Sequence, residues 1–170
     1  MREPDEANWS RAAPTYHQDT FTVVGKTAVH EALVRRLKAE APFGEVLECG
    51  CGTGVYSAVL APLGNRVTAA DCTEAMLDAA ATTLRGVPNV GFEQASCEAL
   101  PHREGVFDTV VMINLIHLLE NPETALAGAH RVLKTGGRII LASYTACGMR
   151  IIEQLQLGLR YLRAFGLPPR

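Results

Sequence analysis

Hydrophobic residues follow two different spacings, which alternate from one segment of the chain to the next. Short apolar runs typical of strands recur between longer segments in which apolar residues return every three or four positions, as on one helix face. The strand-like runs are 46–49, 66–70, 90–94, 109–113 and 138–143, and the helical segments between them are 54–61, 73–84 and 122–133. This alternation predicts right-handed crossovers and an α/β fold, in which a doubly wound, mostly parallel sheet carries helices on both faces.

Two segments flank the alternating region. Residues 1–18 contain few apolar side chains, so we expect a mobile N-terminal arm. The core is expected to span residues 19–147 and to begin with one or two helices at 20–39 that end before Pro42. Residues 148–170 are expected to form a C-terminal amphipathic helix, whose apolar stripe consists of Ile151, Ile152, Leu155, Leu159 and Leu162.

Composition and charge narrow the class of protein. A length of 170 residues, with 48% hydrophobic and 20% charged residues, is typical of one globular domain. The net charge of −2 offers no basic face for nucleic acid, and no stretch approaches the roughly 20 apolar residues that span a bilayer. The acidic N-terminus lacks the apolar run of a signal peptide, and five cysteines without C-x-x-C units are typical of reduced thiols. We therefore expect a cytoplasmic protein.

The strand at 46–49 leads into a glycine-rich turn at 50–54 (GCGTG) and then into a helical segment. Glycine has no Cβ, so such a turn lets a nucleotide-like ligand approach the backbone closely. The pattern departs from the G-x-G-x-x-G of dinucleotide-binding proteins, because Val55 occupies the position that should be small. It also lacks the Lys-Ser/Thr pair of a phosphate-binding P-loop. The turn therefore indicates a different nucleotide-like ligand.

Residues at the ends of the other strands are expected to meet this turn. In open parallel sheets, ligands bind beyond the carboxyl ends of the strands, near the point where the strand order reverses. Asp71 ends the second strand, 17 positions after Gly54, and a carboxylate there can accept hydrogen bonds from both hydroxyls of a ribose. The alternative, that Asp71 only caps the next helix, is weakened because Thr73 is the better N-cap.

Five stretches together resemble the small-molecule branch of class I S-adenosylmethionine (SAM) methyltransferases, which includes the ubiquinone/menaquinone-type enzymes. They are VLECGCGTG, VTAADCTEAML, ASCEALP, FDTVVMINLIHLL and RVLKTGGRIIL, in the order and spacing of that family, and the match covers about residues 44–143. Trp9, Ala13 and Tyr16 also resemble the arm that precedes the fold. The resemblance implies a Rossmann-like fold, SAM as the cofactor and a small-molecule methyl acceptor as the partner.

The resemblance also implies roles for individual positions. The first strand end and its turn would hold the methionine end of SAM: Glu48, Gly50, Cys51, Gly52, Thr53 and Gly54. The second strand end would bind the ribose and pack near the adenine: Asp71, Cys72 and Met76. The third strand end would meet the adenine edge, through a side chain and an amide: Ser96 and Cys97. The fourth strand end would line the methionine and the path to the acceptor: Ile113 and Asn114.

Two departures from the family pattern change the expected site and sheet. Family members usually have Asp-Ala where this chain has Ser96-Cys97, and a neutral contact to the adenine in place of a charged one costs about 1 kcal/mol. Family members also end the sheet with an antiparallel hairpin, which we expect to be absent because residues 148–165 have a helical pattern. An open sheet edge and an apolar helix face favour pairing between chains, so we expect a homo-oligomer.

Methyl transfer from a sulfonium needs little acid–base help, because the leaving group is neutral and alignment of the reactants supplies much of the acceleration. His117 could act as a catalytic residue that deprotonates an acceptor hydroxyl, or it could only pack beside Leu118 and Leu119. Tyr16 could close over the cofactor as a lid together with Trp9, or it could only pack onto the first helix.

Four cysteines lie near the strand ends of the predicted site: Cys49, Cys51, Cys72 and Cys97. Thiols gathered in this way could suggest a thiophilic metal or an arsenic-type substrate. Free cysteine also behaves as a small apolar residue, and this interpretation fits a cofactor site better. We therefore expect no bound metal.

Three functions compete at this point. The leading hypothesis is a SAM-dependent methyltransferase of a small molecule. A non-catalytic SAM-binding or interaction subunit of a larger assembly is the second, favoured by Ser96 and the missing hairpin but opposed by the intact turn and Asp71. A dinucleotide oxidoreductase is the third, and it conflicts with Val55.

Overall fold

The computed structural model describes residues 9–16, 28–143, 156, 157 and 159. Within this part of the chain, five strands form one sheet in which every neighbouring pair is parallel. The strands are β1 (Glu45–Cys49), β2 (Arg66–Asp71), β3 (Val90–Gln94), β4 (Phe107–Ile113) and β5 (Leu133–Ala142). Their order is β3-β2-β1-β4-β5, so the direction of winding reverses at β1. The predicted parallel α/β sheet is therefore confirmed.

Helices cover both faces of this sheet. They are α1 (Ala28–Glu40), α2 (Val55–Leu60), α3 (Glu74–Thr83) and α4 (Pro122–Val132), with short 3-10 turns at Ala61–Leu63, Cys97–Ala99 and Ile116–Leu118. In α4, a proline occupies the first turn, where its missing N–H costs nothing, and Ala125, Ala129 and Val132 are buried on one face. The helical segments predicted between the strands are thus all present.

Alternate residues of the central strands point to opposite faces, and each face packs against its own helices. Val46 and Val111 belong to a cluster that includes side chains of α1 and α2, whereas Leu47 and Val110 pack with the buried face of α4. Ala80 brings α3 against β2 in a smaller cluster. Since β4 is covered on both faces, its last four residues, 110–113, form a continuous buried apolar run rather than an alternating pattern.

The fifth strand differs from the prediction at its start. β5 begins at Leu133, five residues earlier than expected, and includes residues 135–137, which the pattern assigned to a turn before the strand. Leu133 pairs with Phe107, the register then shifts, and pairing resumes with Arg138 opposite Thr109. Gly136 has a φ of 80°, a conformation that glycine adopts without strain, so the extra residues form an irregularity inside the strand.

Both ends of the chain lie largely outside the described residues. The helix predicted at 148–170 is described only at Gln156, Leu157 and Leu159, which are helical. Of the predicted N-terminal arm, residues 9–16 are described, and residues 9–12 form a helical turn. Among the described residues, no helix has the length and apolar character needed to cross a bilayer.

Replacing Leu47 by alanine should lower the free energy of unfolding by about 2–5 kcal/mol, because Leu47 is fully buried in the central strand and alanine leaves a cavity. Val29→Ala, at a position of α1 that is 42% exposed, is the control and should change stability by less than about 0.5 kcal/mol. Urea denaturation followed by circular dichroism measures both variants. Equal effects at the two positions would contradict the core described above.

Candidate functional site

A cleft opens beyond the carboxyl ends of β1, β2, β3 and β4, where the strand order reverses. The predicted site residues that line it are Tyr16, Glu48, Gly50, Cys51, Gly52, Thr53, Asp71, Cys72, Met76, Ser96, Cys97, Ile113 and Asn114. Two other predicted residues, Gly54 and His117, do not line it. The convergence of the strand ends on one crevice therefore holds, while the cofactor contacts of these residues stay predictions.

The glycine turn between β1 and α2 has a left-handed backbone at each of its glycines, with φ of 68° at Gly50, 53° at Gly52 and 79° at Gly54. A Cβ on Gly50 would lie 2.8 Å from a methyl carbon of Leu115, and one on Gly54 would lie 3.1 Å from the Cα of Ala80. Gly54 thus permits the close approach of α3, and its contact with the cofactor stays a prediction. In the G-x-G-x-x-G pattern of dinucleotide-binding proteins, the residue that allows such close packing stands at the position of Val55.

Asp71 connects the end of β2 to two backbone segments. Its Oδ2 accepts a hydrogen bond of 2.9 Å from the amide of Gly52, and its Oδ1 accepts one of 3.0 Å from the amide of Thr73. Thr73 is the N-cap of α3, as expected, but its own side chain forms no capping bond. Asp71 therefore holds both the glycine turn and the start of α3, and a carboxylate has lone pairs left for a ligand.

Glu48 is a buried carboxyl group that also lines the cleft. Its side chain is only 2% exposed, and its Oε2 accepts a hydrogen bond of 2.5 Å from the hydroxyl of Ser57, a fully buried residue of α2. Burial raises the pKa of Glu48 to about 7, against the opposing effect of the Ser57 bond and with a further increase from the charge of Asp71. Glu48 therefore gains or loses a proton near neutral pH, and a nearby cation would favour its charged form.

The third strand end carries the two residues that depart from the family pattern. The hydroxyl oxygen of Ser96 accepts a hydrogen bond of 3.2 Å from the amide of Glu98, and it thereby caps the 3-10 turn Cys97–Ala99. A hydroxyl oxygen has a second lone pair and its own proton, so Ser96 keeps hydrogen-bonding capacity toward the cleft. Glu98 in turn accepts a hydrogen bond of 2.6 Å from the amide of Asn121.

The thiols around the cleft are neutral. Cys49, Cys51 and Cys97 are free thiols. Burial raises the pKa of each thiol, to about 11 for Cys97, and neighbouring negative charges add to the effect. Among the described residues, no group of three or more histidine, cysteine or acidic side chains lies close enough together to hold a metal ion. Because their thiols are neutral, Cys51, Cys72 and Cys97 act as small apolar residues of the wall, whereas Cys49 is buried in the core.

The wall beyond β4 is mostly apolar and extends further than the sequence indicated. Asn114 has a φ of 55°, and its amide donates a hydrogen bond of 2.7 Å to the carbonyl of Ala142. The chain then lines the cleft with residues that were not predicted: Leu115, Leu118, Leu119 and Glu120. His117 lies on the same segment but is exposed and does not line the cleft, so its role as a base stays a prediction.

The described part of the arm covers one side of the cleft. The rings of Trp9 and Tyr16 meet edge to face, with centroids 5.6 Å apart at an angle of 84°, and both residues line the cleft. A Cβ on Gly52 would lie 3.7 Å from Cε1 of Tyr16, so the ring sits beside the open face of the glycine turn. This location suits the lid predicted for Tyr16, although its closure stays a prediction.

Several lining residues were not predicted from the sequence. Ala95, Glu98, Leu115, Leu118 and Leu119 lie inside the stretches that resemble the family but had no role assigned to them, whereas Val55, Tyr56 and Glu120 follow those stretches. Leu118, Leu119 and Glu120 follow the end of β4 by five, six and seven residues, and the strand-end rule does not state which side chains of such a loop face the cleft. The buried Ser57 has no comparable signal, because only its packing decides that its hydroxyl faces Glu48.

Comparison with known proteins agrees with this geometry. A family model described as a methyltransferase domain matches residues 47–141, which is more than half of the chain. The chain belongs to the methyltransferase-domain family. A demethylmenaquinone methyltransferase of Clavibacter sepedonicus is 32% identical over 136 residues, which cover 80% of this chain and 56% of the relative.

Solved structures show the same relationship. YcgJ of Bacillus subtilis is 29% identical, with a TM-score of 0.62 over 66% of this chain and 50% of its own. DhpI, in a complex with SAM and HEP, is 26% identical, with a TM-score of 0.72 over 87% of this chain and 68% of its own. The Rossmann-like class I methyltransferase fold is therefore confirmed for this methyltransferase domain. The chain spans about half the length of the curated relatives it matches.

Glu48 should make the stability of this methyltransferase domain depend on pH. Because the pKa of Glu48 rises from 4.5 to about 7 on folding, its contribution to stability is fully present below pH 4.5 and is lost as the pH rises through 7. The change corresponds to about 3 kcal/mol. Glu48→Gln, which resembles the protonated acid and can still accept the Ser57 bond, should therefore gain stability relative to the parent as the pH rises from 5 to 8.

Urea denaturation at pH 5, 6, 7 and 8 measures this difference. Glu74→Gln, at an exposed position in the first turn of α3, is the control and should show no comparable trend. A constant difference between Glu48→Gln and the parent at all four pH values would contradict the assignment.

Proposed function

We propose that this methyltransferase-domain protein binds SAM in the cleft and transfers its methyl group to a small-molecule acceptor. The observation that carries the proposal is the carboxylate of Asp71, which lines the cleft while it holds the amide of Gly52. Its remaining lone pairs suit the hydroxyls of a ribose. Support also comes from relatives named as quinone methyltransferases and from DhpI, whose structure contains SAM.

The strand order supports one orientation of SAM in the cleft. Ser96 and Cys97 follow β3, Asp71 ends β2, Glu48 lies on β1 and Asn114 follows β4, and the strands lie side by side in that order. The adenine would therefore be held after β3, the ribose at β2, and the methionine end at β1 and the glycine turn. This leaves the space beside the end of β4 for the acceptor.

When bound, SAM supplies a methyl group on a positively charged sulfur, which leaves as a neutral thioether during in-line attack. The residues of the chain hold and orient the two reactants, and the buried carboxyl groups of Glu48 and Asp71 favour positive charge in the cleft. The aromatic rings of Trp9 and Tyr16 would exclude water from one side. His117 does not line the cleft, so it would have to approach the acceptor in order to act as its base.

A non-catalytic SAM-binding subunit is the second candidate. One observation favours it: the hydroxyl of Ser96, at the position where the family pattern implied by the resemblance has an aspartate, already accepts a hydrogen bond from the amide of Glu98. This reduces the strength of an adenine contact and would weaken cofactor binding several-fold. The two candidates differ in turnover, because only the first transfers the methyl group.

Calorimetric titration with SAM and with S-adenosylhomocysteine tests the binding site. We expect micromolar binding of both ligands, and in Asp71→Ala we expect binding about tenfold to a hundredfold weaker, because hydrogen bonds to a charged group are lost. Asp78→Ala, at an exposed position of α3, is the matched control and should bind like the parent. Thermal unfolding of both variants shows whether they are folded.

Absence of binding by the folded parent protein would contradict the proposed function. Methyl transfer is measured as the release of S-adenosylhomocysteine in the presence of a broad panel of small-molecule acceptors. Binding of SAM without such release for any acceptor would favour the non-catalytic subunit.

We also propose that two copies of the chain associate through the open edge of the sheet or through the C-terminal segment. β5 lies at one edge of the described sheet, and Leu141 on it is 47% exposed. An apolar edge strand of this kind favours pairing with another chain. Multi-angle light scattering at micromolar concentration should give the mass of a dimer or larger species, and a clean monomer would refute the proposal.

A further inference from the structure

The carboxyl group of Glu48 lies on a face of β1 that is otherwise apolar. Residues 46 and 48 point to the same face of the strand, and Val46 is buried there in the cluster that includes Leu60 of α2. Glu48 is 2% exposed, and it also lines the cleft. A carboxyl group at such a position needs a hydrogen-bond donor, because burial of an unpartnered polar group costs free energy.

Ser57 supplies a donor from the first turn of α2. Its side chain is fully buried, and its hydroxyl donates a hydrogen bond of 2.5 Å to Oε2 of Glu48. A donated bond of this kind fixes the direction of the carboxyl group and favours its charged form. Ser57 itself does not line the cleft, so its hydroxyl acts on a ligand only through Glu48.

The groups around the carboxyl group of Glu48 decide how easily it gains or loses a proton. Its register neighbours on β2 and β4 are apolar, namely Ala69 and Val111. The titratable groups that the described elements bring around it are Asp71 at the end of β2, Cys49 and Cys51 of β1 and the glycine turn, Tyr16 of the arm, and Tyr56 of α2, which contacts His30 of α1. Burial raises the pKa of both thiols, so these stay neutral.

Two opposing effects act on the charge of Glu48. Burial and the neighbouring carboxylate of Asp71 favour the protonated form, whereas the bond from Ser57 favours the charged form. The result is a pKa of about 7, so that both forms are populated in the ligand-free protein near neutral pH. A positive charge placed in the cleft would therefore shift Glu48 to its charged form.

We infer that Ser57 is a positioning residue that holds the carboxyl group of Glu48 toward the cleft, and that binding of the positively charged methionine end of SAM releases a proton from Glu48 to solvent. The inference rests on the proposed function, because it takes SAM as the ligand of the cleft. The affinity for SAM then rises with pH, since less protonated Glu48 has to lose its proton on binding.

Calorimetry in two buffers of different ionisation enthalpy counts the protons that binding releases. At pH 6.5, the parent should release about 0.5–0.8 proton more per bound ligand than Glu48→Gln, which cannot ionise at this position. Its affinity should rise about fivefold to tenfold more than that of Glu48→Gln between pH 6 and pH 8. Titration of the ligand itself is common to both proteins and cancels in the difference.

Two ligands identify the positive charge that acts on Glu48. SAM and S-adenosylhomocysteine share an ammonium group, and only SAM carries a sulfonium. Proton release with both ligands would assign the effect to the ammonium group, and release with SAM alone would assign it to the sulfonium. Either result supports the inference.

Substitutions at Ser57 test its positioning role. Ser57→Ala lacks the hydroxyl, and Ser57→Cys keeps nearly the same volume but offers only a weak donor. In both variants the midpoint of the pH dependence should move up by about one pH unit, because the charged form of Glu48 loses its donor. Affinity should then be about threefold to fivefold lower than in the parent at pH 7, and the difference should shrink toward pH 9.

Thr83→Ala, which removes an exposed helical hydroxyl of α3, is the matched control and should keep the parent pH profile. Thermal unfolding shows whether each variant is folded. A purely structural role of Ser57 would lower stability, or lower affinity equally at every pH, without moving the midpoint, and either result in the folded variants would overturn its positioning role.

The outcomes separate this inference from the proposed function. Absence of binding of SAM and S-adenosylhomocysteine by the folded parent would overturn the proposed function and the inference with it. If the ligands bind, but the parent releases no more protons than Glu48→Gln and follows the same pH profile, the inference alone is overturned.

Discussion

The geometry of the site depends on the carboxylate of Asp71, which bonds to backbone amides from two separate segments. One oxygen holds the amide of Gly52 and the other holds that of Thr73, so the end of β2 fixes both the glycine turn and the start of α3. Beside it, the amide of Cys51 donates to the carbonyl of Ala70. Buried amides need partners, and a charged acceptor binds them more strongly than a neutral one. The shape of the cleft therefore follows from a single buried side chain and its neighbouring strand.

The same arrangement places two carboxyl groups in a region of low exposure. Asp71 receives two amide donors, whereas Glu48 receives a hydroxyl donor from Ser57 and takes up a proton near neutral pH. Burial of acidic groups costs free energy unless a cation compensates them, and no described lysine, arginine or histidine lines the cleft. Such an arrangement is typical of sites whose ligand brings the missing charge, and SAM carries a positive charge on its sulfur. The electrostatics of the cleft thus agree with the family to which the chain belongs.

Much of the fold could be predicted because apolar residues recur at different spacings in strands and in helices, and because each strand is short. The order of elements was correct, and the residues at strand ends converge on one cleft as expected. The start of β5 was wrong, since residues 135–137 have the composition of a turn and only pairing of Leu133 with Phe107 draws them into the strand. Gly54 lies close to Ala80 and does not line the cleft. This contact and the pairing that begins β5 both join residues far apart in the chain.

The parallel sheet, the glycine turn and the position of Asp71 could be predicted, because they follow from local periodicity and from residues that only certain backbone conformations accept. Tertiary structure alone decided that Ser57 faces Glu48, and that Leu118 and Glu120 line the cleft. The hydroxyl of a helical serine has no preferred direction until the helix packs. A loop after a strand likewise lacks a regular periodicity from which the side chains that face a cavity could be predicted. The part of the cleft after β4 is therefore a property of packing, whereas the part at β1 and β2 is a property of the sequence.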